Sequence, residues 1–324
     1  VSAPTLRRPS GLTWTVLRLH RAALIAGGAA LLAVAATLVW MYAIGADARA
    51  AIGPCGSPGT GLPSCSALRA IGTDETYGAG IDSVGTVLSY LMFPVAAWAG
   101  GALIGRELES GTAQLAWSQS VTPVRWLTAK LALPAALLTA GTTAAVLLTV
   151  WARQDDNPDL VGAWYDPDVF VSTGPVAVAH VLAGLALGAL AGLVARKALP
   201  AVGAALAAVL VLHTVLEQVR TGLWPADTAT GRTALRLPVN SLDFEHGVVT
   251  ATGRRIGGDL TCVGSDSTAD IQDCMRHSGL KDFWATYHPE SHFWPLQLVE
   301  TGIVLAVAAL ATAGAFRLLR RRTP

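Results

Sequence analysis

RELESGTAQLAWSQSVTPVRWLTAK, residues Arg106 to Lys130, is a polar-punctuated segment caught between two runs that read as membrane spans. VLSYLMFPVAAWAGGALIG (Val87 to Gly105) precedes it and LALPAALLTAGTTAAVLLTVW (Leu131 to Trp151) follows it. Both approach or exceed the ~20 residues that cross ~30 Å of hydrocarbon at ~1.5 Å per residue. The segment between them therefore sits at one membrane face. Arg106, Glu107 and Glu109 open it, Ser110 and Gly111 turn it, and a short amphipathic helix follows that carries Leu115, Trp117 and Gln119. Thr122 suits the N-cap of a further helix starting at Pro123, and Arg125, Trp126 and Lys130 would anchor that helix among headgroups. An element of this kind can take force from a soluble partner and pass it to two spans.

Composition points the same way. Of 324 residues, 52% are hydrophobic and 14% charged, with a mean hydropathy of +0.48, too apolar for an ordinary soluble domain of this length. The chain reads as an all-α membrane protein with six transmembrane helices. Residues 1–21 form a basic lead, in which Leu12, Val16 and Leu19 suit an elbow helix lying on the membrane surface. Val1 reads as an alternative start codon written literally. Residues 22–324 form one transmembrane domain, whose first span, Ala22 to Ile44, is too long for a signal-peptide core. Residues 45–83 are a turn-rich loop with Cys55 and Cys65, and residues 153–168 an acidic one. The fourth span is expected from about Phe170 to Ala195, and the fifth from Ala198 to about Glu217, with only Arg196 and Lys197 between them. Residues 218–291 form the longest polar segment, with Cys262 and Cys274, before a sixth span from His292 to Phe316 and the tail RLLRRR.

Glu107, Glu109, Gly111 and Thr112 make the pattern E-x-E-x-G-T, followed by the short helix, a Pro/Arg turn and Lys130 at the next span. This pattern resembles the first cytoplasmic loop of ABC-2 type transporter permeases of the type V-like fold, and the likeness in span order covers nearly the whole chain. One departure is visible. The family often places an Arg directly after a Val-Ser or Leu-Ser pair, whereas here Pro123 and Val124 separate Thr122 from Arg125. The resemblance implies that residues 106–130 are a coupling region, with Arg106, Glu107, Glu109, Gly111, Thr112 and Arg125 engaging a separate ABC ATP-binding subunit. It also implies two copies of that subunit, which hold ATP and Mg, a second permease copy in a homodimer, and no catalytic residues in this chain. Export of an amphipathic drug, peptide or lipid across a bacterial plasma membrane is the corresponding function, and the Ala/Gly/Arg bias agrees with a bacterial source.

The sequence carries no nucleotide site of its own. No G-x-x-x-x-G-K-[ST] occurs, since Lys130, Lys197 and Lys281 are followed by Leu, Ala and Asp. Basic residues gather at one set of span ends: Arg7, Arg8, Arg18 and Arg21 in the lead, Arg106, Arg125 and Lys130 in the loop, Arg196 and Lys197 in the turn, and Arg317, Arg320, Arg321 and Arg322 in the tail. Against them stand only Glu107 and Glu109, so the positive-inside rule puts both termini and the 106–130 loop in the cytoplasm. Scattered at span ends rather than gathered in a stripe, these charges exclude a nucleic-acid partner and suit membrane lipids. Residues 45–83 and 218–291 then become extracellular, where two local disulfides, Cys55–Cys65 and Cys262–Cys274, are expected in place of free thiols. Cys262, Cys274, His277, His288 and His292 lack the short first pair of common zinc sites, so no metal is expected.

Polar groups at depth mark a possible path. His213 and Glu217 lie one helical turn apart, and Glu300 falls about 12 Å into the last apolar run, so these three are candidates for the lining of an outer vestibule. His180 reads as a packed, hydrogen-bonded core histidine. Gly184, Gly188 and Gly192 form a double G-x-x-x-G ladder for helix packing, within the chain or between subunits. Pro94 and Pro134 should bend the spans on either side of the loop. Leu280 to Leu298 reads as a short interfacial helix, resembling the outward cap that the family places before its last helix. Two other classes compete: a receptor or channel with an extracellular ligand-binding segment, and an intramembrane enzyme, for which His180, His213, Glu217 and Glu300 are the sole candidate groups.

Overall fold

A backbone in hydrocarbon must satisfy its own donors and acceptors, so apolar runs of sufficient length become helices. The computed structural model describes residues 18, 21–51, 73–119, 121–153, 158–258 and 268–322. Among them six helices are long and apolar enough to cross a membrane: Arg21–Ala48, Asp74–Glu109, Pro123–Arg153, Val176–Ala195, Ala198–Gly222 and Glu290–Arg322. Alternating crossings place the 110–122 loop, the 196–197 turn and the end of the sixth span on one face.

α1 (Arg21–Ala51) and α2 (Thr73–Tyr90) both run further than the sequence suggests, so residues 45–51 and 73–83 of the expected 45–83 loop are helical. Packing explains the extension. Leu38, Met41 and Ala48 are buried in one cluster with Tyr77, Ile81 and Val84. The Tyr77 hydroxyl, within that cluster, donates to Ala152 O at 2.7 Å and Arg153 O at 3.0 Å.

The second span is irregular. α2 stops at Tyr90 and α3 (Met92–Trp98) begins after Leu91. Pro94 has no N–H to return to the carbonyl of Tyr90, four residues back, which interrupts the ladder at that point. A π-helical stretch, Ala99–Gly105, follows, in which Arg106 N reaches back five residues to Gly101 O, and one turn of α4 (Arg106–Glu109) completes the span. Across the loop, α5 (Thr112–Ser118) leads to α6 (Pro123–Arg153), which stays a single helix through Pro134.

α7 (Pro158–Val161) and α8 (Pro167–Ser172) precede α9 (Val176–Ala195). The fourth span is thus shorter than expected, because Gly174 and Pro175 separate Phe170 in α8 from the helix proper. α9 is the central post: 72% of its apolar window is buried, against 6% in the first span. Its glycines allow that burial. A Cβ on Gly184 would lie 2.5 Å from Met92 O, one on Gly188 2.4 Å from Ala96 O, and one on Gly192 2.8 Å from Ile104 Cβ. The ladder therefore packs within the chain, against α3 and the π-helical stretch. α10 (Ala198–Val219) lies against the same stretch, where Gly100 faces Ala201 O and Gly105 faces Lys197 O.

The polar segment after the fifth span corrects the all-α expectation. β1 (Asp227–Thr230), β2 (Leu242–Thr250), β3 (Arg255–Gly257) and β4 (Leu280–His288) form an antiparallel sheet in the order β1-β4-β2-β3. α11 (Thr268–His277) precedes β4, and α12 (Phe293–Arg322) supplies the sixth span. The expected interfacial helix at Leu280 is instead one of the sheet's two inner strands. FWATYH is rich in aromatic and β-branched residues, and Phe283 pairs with Val248 of β2 while Thr286 pairs with Thr228 of β1.

Candidate functional site

The loop between the second and third spans is built by four local rules. Leu108 and Ala113 are buried and fix the two short helices on the core. Gly111 has φ +74°, a left-handed turn that glycine adopts freely, and so reverses the chain. Thr122 Oγ1 accepts from Arg125 N at 3.3 Å, the expected cap, with Pro123 as first helical residue. Trp126 and Leu127 are buried at the start of α6.

Within this frame Glu107 turns inward. One of its carboxylate oxygens takes the ammonium of Lys130, whose side chain is 4% exposed, and the other accepts from Trp126 Nε1 at 3.1 Å. Trp117 packs edge-on against Trp126, ring centroids 5.6 Å apart. The carboxylate is therefore bound to the third span and not to Arg125, whose residue is exposed. The Thr112 hydroxyl donates to Glu107 O at 3.3 Å and tightens the turn, while Gly111 stands at the cap position of α5.

Glu109 serves another helix. Its Oε2 accepts from Ala198 N at 2.9 Å, closing the N-terminus of α10 with a charge of favourable sign for the helix dipole. Arg322 Nη1 donates to Leu193 O at 2.7 Å and closes the end of α9 on the same face. Arg106 is exposed, and so is Leu115, at 59%, on the outer side of α5.

Towards the sheet, the polar residues at depth divide. Glu300 is fully buried and accepts two bonds from Arg220, at 2.8 and 3.1 Å, in a fork that satisfies a carboxylate out of water. The guanidinium lies 4.5 Å over the Phe170 ring. His180 Nε2 stands 3.6 Å from Glu300, beyond hydrogen-bond length, and neither of its ring nitrogens has a hydrogen bond. His213 Nε2 is 3.3 Å from Glu217, with the rings of Tyr90 and Phe93 beside it. Of the three residues expected to line a path, Glu300 is thus engaged by Arg220, and His213 by Glu217. Arg220, the residue that the sequence reading passed over, sits three positions after Glu217 and seven after His213, on the same helical face.

Where the sheet meets the last span, His288 is buried, stacks on Phe244, and donates through Nε2 to Thr221 O at 2.9 Å. Its Nδ1 lies 3.0 Å from Nδ1 of His292. Burial pushes His288 below the usual imidazole range, and His292 adds to this, while the Thr221 carbonyl and Asp227 oppose it. Among the described residues no group of His, Cys, Asp and Glu has the arrangement of a metal site. Cys274 is disulfide-bonded; Cys55, Cys65 and Cys262 lie outside the described residues, as does all of the basic lead except Arg18 and Arg21.

Comparison with known families gives one match. The family described as ABC-2 membrane transporter related covers residues 28–220, more than half of the chain, from the first span through the loop to the end of the fifth. Neither a curated protein nor a solved structure matches the chain. With the braced loop and the helices on both sides of it inside that match, the chain belongs to the ABC-2 membrane transporter related family, as the multi-pass membrane component of a transporter that partners an ABC ATP-binding subunit.

Proposed function

We propose that this protein is the permease subunit of an ATP-driven exporter and that residues 106–130 couple it to its ATP-binding subunit. The observation that carries this reading is the bracing of the loop. Glu107 ties α4 to Lys130 and Trp126 of α6, and Glu109 closes the first turn of α10, so that a push on α5 reaches spans two, three and five together. Leu115, exposed on α5 with Arg106 and Arg125 on the same membrane face, offers the partner an apolar contact inside a basic rim. Two ATP-binding subunits carrying ATP and Mg then serve a permease homodimer in a bacterial plasma membrane.

Charge asymmetry supports a cytoplasmic loop and termini, with the sheet outside. His213 and Glu217, flanked by Tyr90 and Phe93, form a polar and aromatic surface for an amphipathic substrate, and Glu300 holds Arg220. The external position favours Cys262 as the partner of Cys274, with Cys55 and Cys65 as the second pair. The test is co-purification of the co-expressed ATP-binding subunit with wild type and with Leu115→Glu. That residue is exposed, so the fold should survive while retention of the subunit falls at least about tenfold, the effect of ~1.4 kcal/mol. Undiminished retention, with undiminished transport in reconstituted vesicles, would remove α5 from the coupling contact.

A further inference from the structure

A cavity of about 390 Å³ opens between the third, fourth and sixth spans. Its wall includes Thr128 and Ala135 of α6, Leu182 of α9, and Leu305, Ala309 and Phe316 of α12. The lining is apolar apart from two threonines, and small residues make the hollow. Along α12 it extends from Leu305 to Phe316, about 16 Å at 1.5 Å per residue. That is roughly half of a ~30 Å hydrocarbon core, the depth of a single leaflet.

The end of the cavity near the 106–130 loop is basic. Arg320 follows Phe316 by four residues in α12, and Arg125 precedes Thr128 by three in α6, so each continues a wall of the groove by about one turn toward the headgroups. Both are exposed. Glu107 and Glu109, the only carboxylates in residues 106–130, 196–197 and 317–322, are occupied by Lys130, Trp126 and Ala198 N. A hydrocarbon slot one leaflet deep, ending at two guanidinium groups with no free acid beside them, complements one chemistry.

We infer that this groove holds an acyl chain of an anionic phospholipid from the leaflet on the loop's side, with the lipid phosphate between Arg125 and Arg320. The guanidinium forks match phosphate oxygens. Such a lipid would bridge the start of α6 and the end of α12 and so stiffen the support beneath the loop. The inference does not depend on what the loop binds.

Native mass spectrometry of the delipidated full-length protein, given equal amounts of dioleoyl phosphatidylglycerol and dioleoyl phosphatidylcholine, tests it. Wild type should retain one phosphatidylglycerol with a preference on the order of 30-fold, as expected for two arginines near a lipid phosphate. The double variant Arg125→Gln and Arg320→Gln should lose the preference while still carrying neutral lipid. Ala135→Phe, which fills the slot, should lose retention of both, with its thermal transition as the check on folding. Equal retention of the two lipids by wild type would mean annular lipid only and would overturn the site. A preference that survives the double arginine substitution would also overturn it, as would a mass of two protein copies that Ala135→Phe splits, because the groove would then belong to a second copy.

Discussion

Glu107 and Glu109 stand two residues apart in one loop, and their surroundings give them different work. Glu107 is part of a nearly buried ion pair with Lys130, and removing one member of such a pair leaves the other charged and unsolvated. Glu107→Gln should therefore cost about 3 kcal/mol of stability. Adding Lys130→Met to it should recover most of that loss, because the orphaned charge is then gone too. Denaturation curves of the single and double variants in the same detergent measure both, and a double variant no better than the single would show that the pair is not the source. Glu109 only closes a helix end, so Glu109→Gln should cost about 1 kcal/mol, read by the same curves. The sequence placed both carboxylates in a polar loop at the membrane face, but not their partners. Lys130 looks like a headgroup anchor from sequence, since nothing local to it shows that residue 107, across a turn, lies at the same depth.

Helix contacts at backbone distance and a strand in place of a helix are both products of neighbours. In α9 Gly184 and Gly188 lie against carbonyls of α3, so Gly188→Ala forces two backbones apart. A loss of about 1–3 kcal/mol is expected. Gly203 in α10 has nothing within 4 Å, so Gly203→Ala should be neutral or stabilising by up to about 1 kcal/mol. Thermal unfolding of the two variants side by side checks the contrast, and equal shifts would mean that the ladder is not a close contact. The ladder was legible as a pattern, though its partner helix was not, because G-x-x-x-G specifies a close approach without naming what approaches. β4 was misread as a helix for a related reason: its residues suit an interface helix and a strand alike, and only the edges of β1 and β2 settle the matter. At the end of β4, His288 gives the joint between sheet and last span a pH dependence. Its folded pKa is lowered, so the neutral ring is the form that packs; that stability is present above the unfolded value of about 6.5 and is lost as pH falls through the folded value. Protonation also places a second N–H against His292 Nδ1. Hydrogen-exchange protection over residues 280–292, corrected for the intrinsic pH dependence of exchange, should thus fall between about pH 7 and pH 5 more than protection in α9, and an even response across the molecule would remove His288 as the cause.

The six spans were readable from length and apolarity alone, while the sheet outside them was not, because span detection needs only composition and a sheet needs its pairings. Sidedness is a property of the whole molecule, since no single loop fixes it. On the face of the loop, Arg106, Arg125, Arg196, Lys197, Arg317, Arg320, Arg321 and Arg322 lie within short reach of span ends. The sheet face carries most of the acidic residues in its longer segments, and those do not set orientation. If short-loop charge governs insertion, Ser118 at the end of α5 faces the cytoplasm and Thr252, at the exposed β2–β3 turn, faces outward. Ser118→Cys and Thr252→Cys, introduced separately, then give opposite results with a membrane-impermeant maleimide on intact bacterial cells. Thr252→Cys should label at once, and Ser118→Cys only after permeabilisation. The parent chain should stay unlabelled in both cases, since its cysteines are expected in external disulfides. Labelling of Ser118→Cys on intact cells would put the loop on the wrong side for any ATP-binding partner and so overturn the coupling reading. Labelling of the parent chain would instead strike only the cysteine pairing, which keeps the two conclusions separable.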